Sequence, residues 1–426
     1  MTRNASLPLR GKYFSYHGND LYVEEAPLSR IAQRYGTPCY VYSRAAITDS
    51  YCEFSEAFTR RQPLICYAVK ANPSLAVLNA LARLGSGFDI VSGGELQRVL
   101  AAGGDAHKTV FSGVGKSQRE LEQALNAGVL CFNVESESEL SRLAQIARRL
   151  SLKAPVALRI NPHIDAKTHP YIATGLKHNK FGIAYHDARR LYRWAHDSPH
   201  LNITGIAFHI GSQMTSVAPL GEATGKILYL VDRLQSDGIE ISHLDIGGGF
   251  GVRYSDETPP PITAFAKTID TLLGPRPQRL LLAPGRALVA NSGALLTTVL
   301  YLKHGNARNF AIVDAAMNDL MRPALYGAYH AIVPAHARRG RKHPYEIVGP
   351  VCESSDFLGH ARMLDIAEGD LLAVLTAGAY GMSMASNYNS RPSAAETMVD
   401  GRRVHLIRKR QDAEQLWALE RKLPSR

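Results

Sequence analysis

Between about residues 64 and 290 the chain alternates short β-branched apolar runs with longer stretches in which apolar residues recur at helical spacing. Eight runs read as strands: residues 64–69, 88–91, 109–111, 130–134, 156–160, 205–209, 241–246 and 279–282. Ser92 with Glu95, and Ser117 with Glu120, fit S-x-x-E capping boxes that open helices. After Glu137, the residues Leu140, Leu143, Ile146 and Leu150 form one helical stripe. Eight βα units in a row predict a closed parallel (β/α)8 barrel of the TIM type, with its chemistry at the C-terminal strand ends. An open doubly wound sheet is the alternative that the same pattern allows. Beyond residue 291 the rhythm changes. Strand-like pieces at 295–302, 310–313, 345–348 and 371–375 follow one another without helical crossovers, which predicts a β-rich domain. Strand-like pieces at 21–23 and 39–42 are read as packing with it. The expected division is an N-terminal segment 1–44, a barrel 45–290 and a C-terminal β-domain 291–426. The spacing of Leu416, Leu419 and Leu423 amid charge predicts that the last domain ends in a solvated helix.

Composition narrows the class. At 426 residues, 45 % apolar and 20 % charged, the chain is a globular protein of two or three domains that needs no disulfide or structural metal to fold. No apolar run approaches the ~18 residues of a membrane span; the best, 294–302, is interrupted by Thr297 and Thr298. The segment from Met1 to Ser6 lacks the apolar stretch of a secretory leader. The formal charge of +11 is mostly dispersed, and the denser patches, 338–342 and 402–422, carry no RNA-binding aromatic motif. No nucleic-acid or membrane partner is expected, and a positive surface suits an anionic substrate. Five cysteines, an odd number without a C-x-x-C pair, point to a reducing compartment such as the cytoplasm and to no metal site. Most read as small buried hydrophobes; Cys352 stands apart because of its neighbours.

The polar residues at the strand ends carry the chemistry. The first strand closes in Tyr67-Ala68-Val69-Lys70-Ala71-Asn72. A lysine desolvated at the end of an apolar strand is a Schiff-base nucleophile; a lysine that snorkels to solvent is the plain alternative. The sixth strand ends in His209-Ile210-Gly211-Ser212, where an imidazole can stack on a flat ring or simply fill the core. The seventh ends in Asp245-Ile246-Gly247-Gly248-Gly249-Phe250-Gly251, a turn whose N–H groups can approach a phosphate closely. The dinucleotide spacing G-x-G-x-x-G fails there, because position 252 is Val252. The eighth ends in Ala283-Pro284-Gly285-Arg286, and a phosphate site after strands seven and eight is where barrels often have one. Further along, Arg322 offers a guanidinium for a carboxylate, Cys352-Glu353 sets a thiol beside an acid, and Tyr380 adds a phenol. Each has an ordinary loop reading when taken singly. Their conjunction is harder to dismiss.

The motifs YAVKAN, GFDIVSGGEL, HIGSQ, DIGGGFG, APGRALVANSG, MRPALYGAYH, GPVCESSD and AYGMSMASNYNSRP follow one another from about residue 35 to 392. In that order they resemble the diaminopimelate decarboxylase family of alanine-racemase-like, fold-type III enzymes that use pyridoxal 5′-phosphate (PLP). The resemblance implies a barrel followed by a β-domain that takes in the N-terminal segment. It implies that Lys70 holds PLP, that His209 stacks on its ring, and that Ser212, Gly248, Gly249, Pro284, Gly285 and Arg286 surround its phosphate. It further implies that Arg286, Arg322 and Tyr326 grip the distal end of an amino-acid substrate, that Glu353 helps recognise it, and that Tyr380 touches cofactor and substrate. Cys352 matches a proton donor contributed by a second subunit, so a homodimer with shared sites is expected. The reaction implied is decarboxylation of meso-2,6-diaminopimelate to L-lysine. A related decarboxylase of ornithine, arginine or a carboxylated polyamine is the neighbouring alternative. One departure stands out: the family carries Glu, beside the cofactor's ring nitrogen, where this chain has Ala283. Another acid, Asp89 or Asp245, is a candidate substitute, and an impaired homologue is the remaining alternative.

Overall fold

The computed structural model describes residues 12–165 and 180–424, and two compact units emerge from it: Thr48–Leu288, and Met1–Ile47 together with Val289–Arg426. The leader reading of Met1 to Ser6 lies outside the described residues.

In the first unit eight parallel strands form a closed ring: β1 (Leu64–Ala68), β2 (Gly87–Ile90), β3 (Thr109–Phe111), β4 (Cys131–Val134), β5 (Ala154–Asn161), β6 (Leu201–Ala207), β7 (His243–Asp245) and β8 (Arg279–Leu282). Each pairs with the next in sequence, and β8 returns to β1 through Leu281↔Leu64 and Leu282↔Ile65. That last pairing decides for the barrel over the open sheet. Parallel strands buried on both faces need near-continuous apolar runs, and β1, β3 and β4 are buried at every position. Leu64, Cys66, Val110 and Leu281 fill one part of the interior, and Cys131, Ala157 and Ala207 another.

The helices between strands begin where their caps predict. Ser117 and Glu120 form the full reciprocal box at the start of Gln118–Ala127. Ser92 accepts from Glu95 N, but the Glu95 carboxylate turns to the Val91 N–H (2.7 Å), so that box is only half made. Leu140, Leu143 and Ile146 of the helix Glu137–Arg149 are buried on the barrel side. Burying each such side chain contributes ~1.5–3 kcal/mol. Leu150 is the C-cap residue.

The second unit is built on mixed sheets. The strand Gly293–Lys303 is central: it pairs antiparallel with Cys39–Ser43, Leu371–Val374 and Asn309–Val313. Cys39–Ser43 in turn lies parallel to Ala395–Asp400, so an N-terminal strand sits inside a C-terminal sheet. Leu21, Val23, Leu28, Val41, Leu296, Val333 and Val399 share one core. The expected C-terminal helix is absent. The chain makes a short 3-10 turn, Ala413–Leu416, and Leu419 and Leu423 are 98 % and 92 % exposed. Helical spacing of leucines needs a surface to cover, and nothing in the described chain covers these two. Among the described residues no helix is long and apolar enough to cross a membrane.

Candidate active site

The C-terminal ends of the barrel strands carry the polar residues. Lys70 lies in the 3-10 turn Val69–Ala71, just past β1, and its side chain is exposed. This corrects the picture of a lysine in an apolar wall: strand one ends two residues earlier, and the lysine stands above it. The turn is held from both sides. The Tyr67 hydroxyl donates to the Asn72 carbonyl (3.1 Å), and Ala68 N donates to the Pro284 carbonyl (3.1 Å). The second bond brings β1 and the Ala283–Arg286 turn together. A Cβ at Gly285 would stand 3.1 Å from both Ala68 and Ala71 Cβ, so only glycine permits this approach without displacement.

The glycines after β7 are equally constrained by space. Gly247 and Gly249 have φ of 68° and 91°, the left-handed region that other residues enter at a cost. A Cβ at Gly247 would come within 2.7 Å of His209 Nδ1, and one at Gly248 would strike the Ala283 carbonyl. Met214 N donates to the Gly249 carbonyl (2.8 Å), and Ala283 N to the Gly247 carbonyl (2.8 Å), so the turns after β6, β7 and β8 form one bonded cluster. Arg286 is 7 % exposed; its Nη2 donates to Ser212 Oγ (3.2 Å) and its Nη1 to the Tyr254 hydroxyl (2.6 Å). Side-chain-free backbone, a hydroxyl and a held cation around one cradle fit the phosphate of PLP.

His209 is half-buried beside this cradle. Burial, and then the cations of Arg159 and Lys70, push its pKa well below the ordinary imidazole value. It is therefore neutral near pH 7, the form suited to lie against an aromatic ring.

Beneath these turns a hydrogen-bonded chain crosses the barrel. Ser112 Oγ donates to Asp89 Oδ1 (2.5 Å), and Asn133 Nδ2 donates to both Ser112 Oγ (3.1 Å) and Asp245 Oδ2 (2.8 Å). Gly247 N donates to Asp245 Oδ1 (2.8 Å), which ties the glycine turn to the same chain. Arg159 bonds Glu135 (2.6 Å) alongside. Burial raises both aspartates. Asp245 is pushed to about 6, with the Asp89 carboxylate adding to burial while Asn133, Gly247 and Arg159 act against it.

A pH dependence of stability follows. Asp245 binds its proton more tightly in the folded chain than at the ordinary 3.8. Its contribution is thus full below the unfolded value and is lost as pH rises toward about 6. At about 1.36 kcal/mol per unit the loss is on the order of 3 kcal/mol. Asp245→Asn removes that loss. A flip of the Asn133 amide lets its oxygen accept from the new group at the cost of its bond to Ser112, an offset that does not vary with pH. Urea unfolding should show the variant gaining ~2–3 kcal/mol on the wild type between about pH 4 and pH 7.5. A difference that stays constant with pH overturns the assignment.

In the other unit Arg322 opens the short helix Arg322–Tyr326 and is 6 % exposed, whereas Tyr326 is half-buried. Cys352 and Glu353 lie on an exposed loop. The Asp356 carboxylate shapes that loop by accepting from Val351 N (2.9 Å) and Met317 N (2.6 Å). Cys352 N donates to Asn389 Oδ1 (3.4 Å), and the Tyr388 hydroxyl donates to Glu353 Oε1 (2.6 Å). Tyr380 is half-buried with φ of 56°, a strained setting for a bulky residue. Of the five free cysteines, Cys39, Cys66 and Cys131 are buried, Cys52 is half-buried and Cys352 alone is exposed.

Comparison with known proteins accords with this geometry. Residues 44–290 match the family model described as the pyridoxal-binding domain of pyridoxal-dependent decarboxylases. The chain is 56 % identical to the diaminopimelate decarboxylase of Vibrio cholerae over 414 residues, which is 97 % of this chain and 99 % of that protein. The chain belongs to the diaminopimelate decarboxylase family. Its fold follows suit. The crystal structure of the Helicobacter pylori diaminopimelate decarboxylase with L-lysine superposes with a TM-score of 0.90 at 45 % identity, covering 92 % of this chain and 99 % of that one. That of the M. jannaschii diaminopimelate decarboxylase with L-lysine gives 0.93 at 37 % identity, covering 98 % and 99 %.

Sequence reasoning missed several residues that this family member brings to the site. Tyr254 holds Arg286, and the chain Ser112–Asn133 links two buried acids that were singled out separately. Their partners come from different strands or loops, so no local motif announces them. The YH at the end of MRPALYGAYH does hold a signal: His330 is 8 residues beyond Arg322 and bonds it.

Proposed function

We propose that this chain is a PLP-dependent carboxy-lyase that converts meso-2,6-diaminopimelate to L-lysine and carbon dioxide. The observation that carries this reading is near-full-length likeness to diaminopimelate decarboxylases in a chain that also possesses the glycine cradle. The unit Thr48–Leu288 is assigned to the cofactor and the other unit to substrate recognition and proton donation.

Lys70 is the residue that holds PLP covalently, and the neutral His209 imidazole lies against its ring. Gly248, Gly249, Pro284, Gly285, Ser212 and Arg286 receive the phosphate, with Ala283 beside the ring. When bound, PLP supplies the electron sink for the pair released as the carboxylate leaves. The chain's own task is to choose which bond breaks and to return a proton. Arg322, with Arg286 and Tyr326, grips the substrate's distal carboxylate, because a guanidinium offers two parallel donors to it. Glu353 of the partner subunit recognises the distal amine, and Tyr380 touches both cofactor and substrate. The thiol of Cys352 of the partner subunit donates the proton that takes the carboxylate's place at the α-carbon. The active unit is accordingly a homodimer with shared sites. Five free thiols suit a reducing compartment such as the cytoplasm.

Lysine release from meso-diaminopimelate, run beside ornithine at saturating PLP, tests the reading. Ornithine lacks the distal carboxylate and so forfeits the charged pair with the buried Arg322 guanidinium, a loss of ~2–5 kcal/mol. At 1.36 kcal/mol per decade, kcat/KM for ornithine should be lower by at least ~30-fold. Equal or faster turnover of ornithine moves the chain to the neighbouring decarboxylases.

A further inference from the structure

His330 has no place in the chemistry described so far, yet it is fully buried against Arg322. Its Nε2 lies 2.8 Å from Arg322 Nη1, and its Nδ1 lies 2.9 Å from the Leu375 carbonyl oxygen. A guanidinium can only donate, and a carbonyl can only accept. The ring must therefore carry its hydrogen on Nδ1 and present the bare Nε2 lone pair to Arg322. One tautomer satisfies both bonds, and a protonated ring would set an N–H against a cation. The frame around the ring is rigid. Leu375 N donates back to the Ala331 carbonyl (2.8 Å), Ile332–Pro334 pairs with the strand Leu371–Val374, and Arg362 donates to the His330 carbonyl (3.0 Å) while lying 3.8 Å over the Tyr329 ring.

We propose that His330 is a positioning residue for substrate recognition, its Nε2 fixing the Arg322 guanidinium in the orientation that receives the distal carboxylate. The proposal rests on the assignment of Arg322 to that carboxylate. Arg322 ends a long side chain, and holding one Nη from behind removes rotamers that would otherwise be lost on binding. The imidazole adds no charge, so it orients the cation without neutralising it.

Two polar substitutions separate the two ends of the ring. His330→Asn retains a donor near Nδ1 for the Leu375 carbonyl but no acceptor long enough to meet Arg322. His330→Gln places an amide oxygen near the Nε2 position. In the holoenzyme, His330→Asn should raise KM for meso-diaminopimelate on the order of tenfold, the scale of one lost hydrogen bond to a charged group, with kcat within about twofold. His330→Gln should restore KM to within about threefold of wild type. D-lysine, the same skeleton with the distal carboxylate replaced by hydrogen, serves as the control, and its inhibition constant should not follow KM. Arg322→Lys is run alongside. If Arg322→Lys raises KM but His330→Asn does not, the positioning role is wrong. If His330→Asn raises KM and the D-lysine constant together, or His330→Gln is no better than Asn, the residue is merely structural and the proposal falls. If Arg322→Lys leaves KM unchanged, the assignment of Arg322 itself fails, and the proposal with it.

Discussion

Lys70→Ala and Cys352→Ala chains should each be inactive alone and regain about a quarter of wild-type activity when mixed in equal amounts, if subunits exchange freely between symmetric dimers. Lys70→Ala removes the amine proposed to hold the cofactor, so it should lose the borohydride-fixable adduct and at least ~10³-fold in kcat, in keeping with covalent catalysis by a lysine. Cys352→Ala removes the proposed proton donor, with an expected loss of ~10²–10⁴-fold. When one chain of a dimer carries each lesion, one site combines both lesions and the other combines Lys70 with Cys352 of the partner subunit. Half the dimers formed at random are mixed, and one site in two within them is whole. Sites built within a single chain would put one lesion in every site, and the mixture would stay inactive. A silent mixture in which exchange is verified by mass therefore overturns the shared site, while a retained adduct in Lys70→Ala overturns the choice of lysine.

The barrel was legible because its strands need apolar residues on both faces, which leaves little ambiguity in runs such as 109–111 and 279–282. Strands that begin in polar sequence were cut short. β6 starts at Leu201 and passes through Asn202 and Thr204, with a bulge between Ile203 and Gly205 where it pairs with β5. Alternation breaks at such a bulge, so the pattern shows only the second half of the strand. The tail misled for the opposite reason: Leu416, Leu419 and Leu423 keep helical spacing without a surface to pack on. Close approach of loops was legible where it is written in backbone. Three consecutive glycines are costly unless something must come close, and the clashes a Cβ would make at Gly247, Gly248 and Gly249 show what does. Side-chain partnerships were not legible. Asn133 meets Asp245 from the far side of the ring, and Tyr254 meets Arg286 from a different loop; only closure of the barrel brings them together. Lys70 was singled out on an argument that the structure amends, since it stands exposed on a turn rather than buried in the strand.

Ala283→Glu should speed the enzyme and tighten its hold on PLP. Ala283 follows β8, its N–H is fixed to the Gly247 carbonyl, and it is half-buried beside the cradle, where the family resemblance places a carboxylate against the pyridine nitrogen. The two candidate acids already accept hydrogen bonds. Asp245 accepts from Gly247 N with one oxygen and from Asn133 with the other, and Asp89 Oδ1 accepts from Ser112. Turning either toward the cofactor would leave a buried amide or hydroxyl without its acceptor, at ~1–3 kcal/mol. Neither is therefore expected to compensate. A new carboxylate paired with a protonated ring nitrogen is a charge-assisted bond of ~1.5–3 kcal/mol. If all of it reached the transition state, kcat would rise roughly ten- to a hundredfold at 1.36 kcal/mol per decade. Desolvating the added anion beside Asp245 takes back part of this, so a gain of about tenfold is the expected result. Titration of the apo protein with PLP gives a readout independent of turnover, and its dissociation constant should fall by a similar factor. If neither kcat nor PLP affinity improves, a carboxylate already serves the nitrogen. Repeating the measurement with Asp245→Asn in the Ala283→Glu background identifies which: only if Asp245 is the existing partner does removing its charge make Glu at position 283 beneficial.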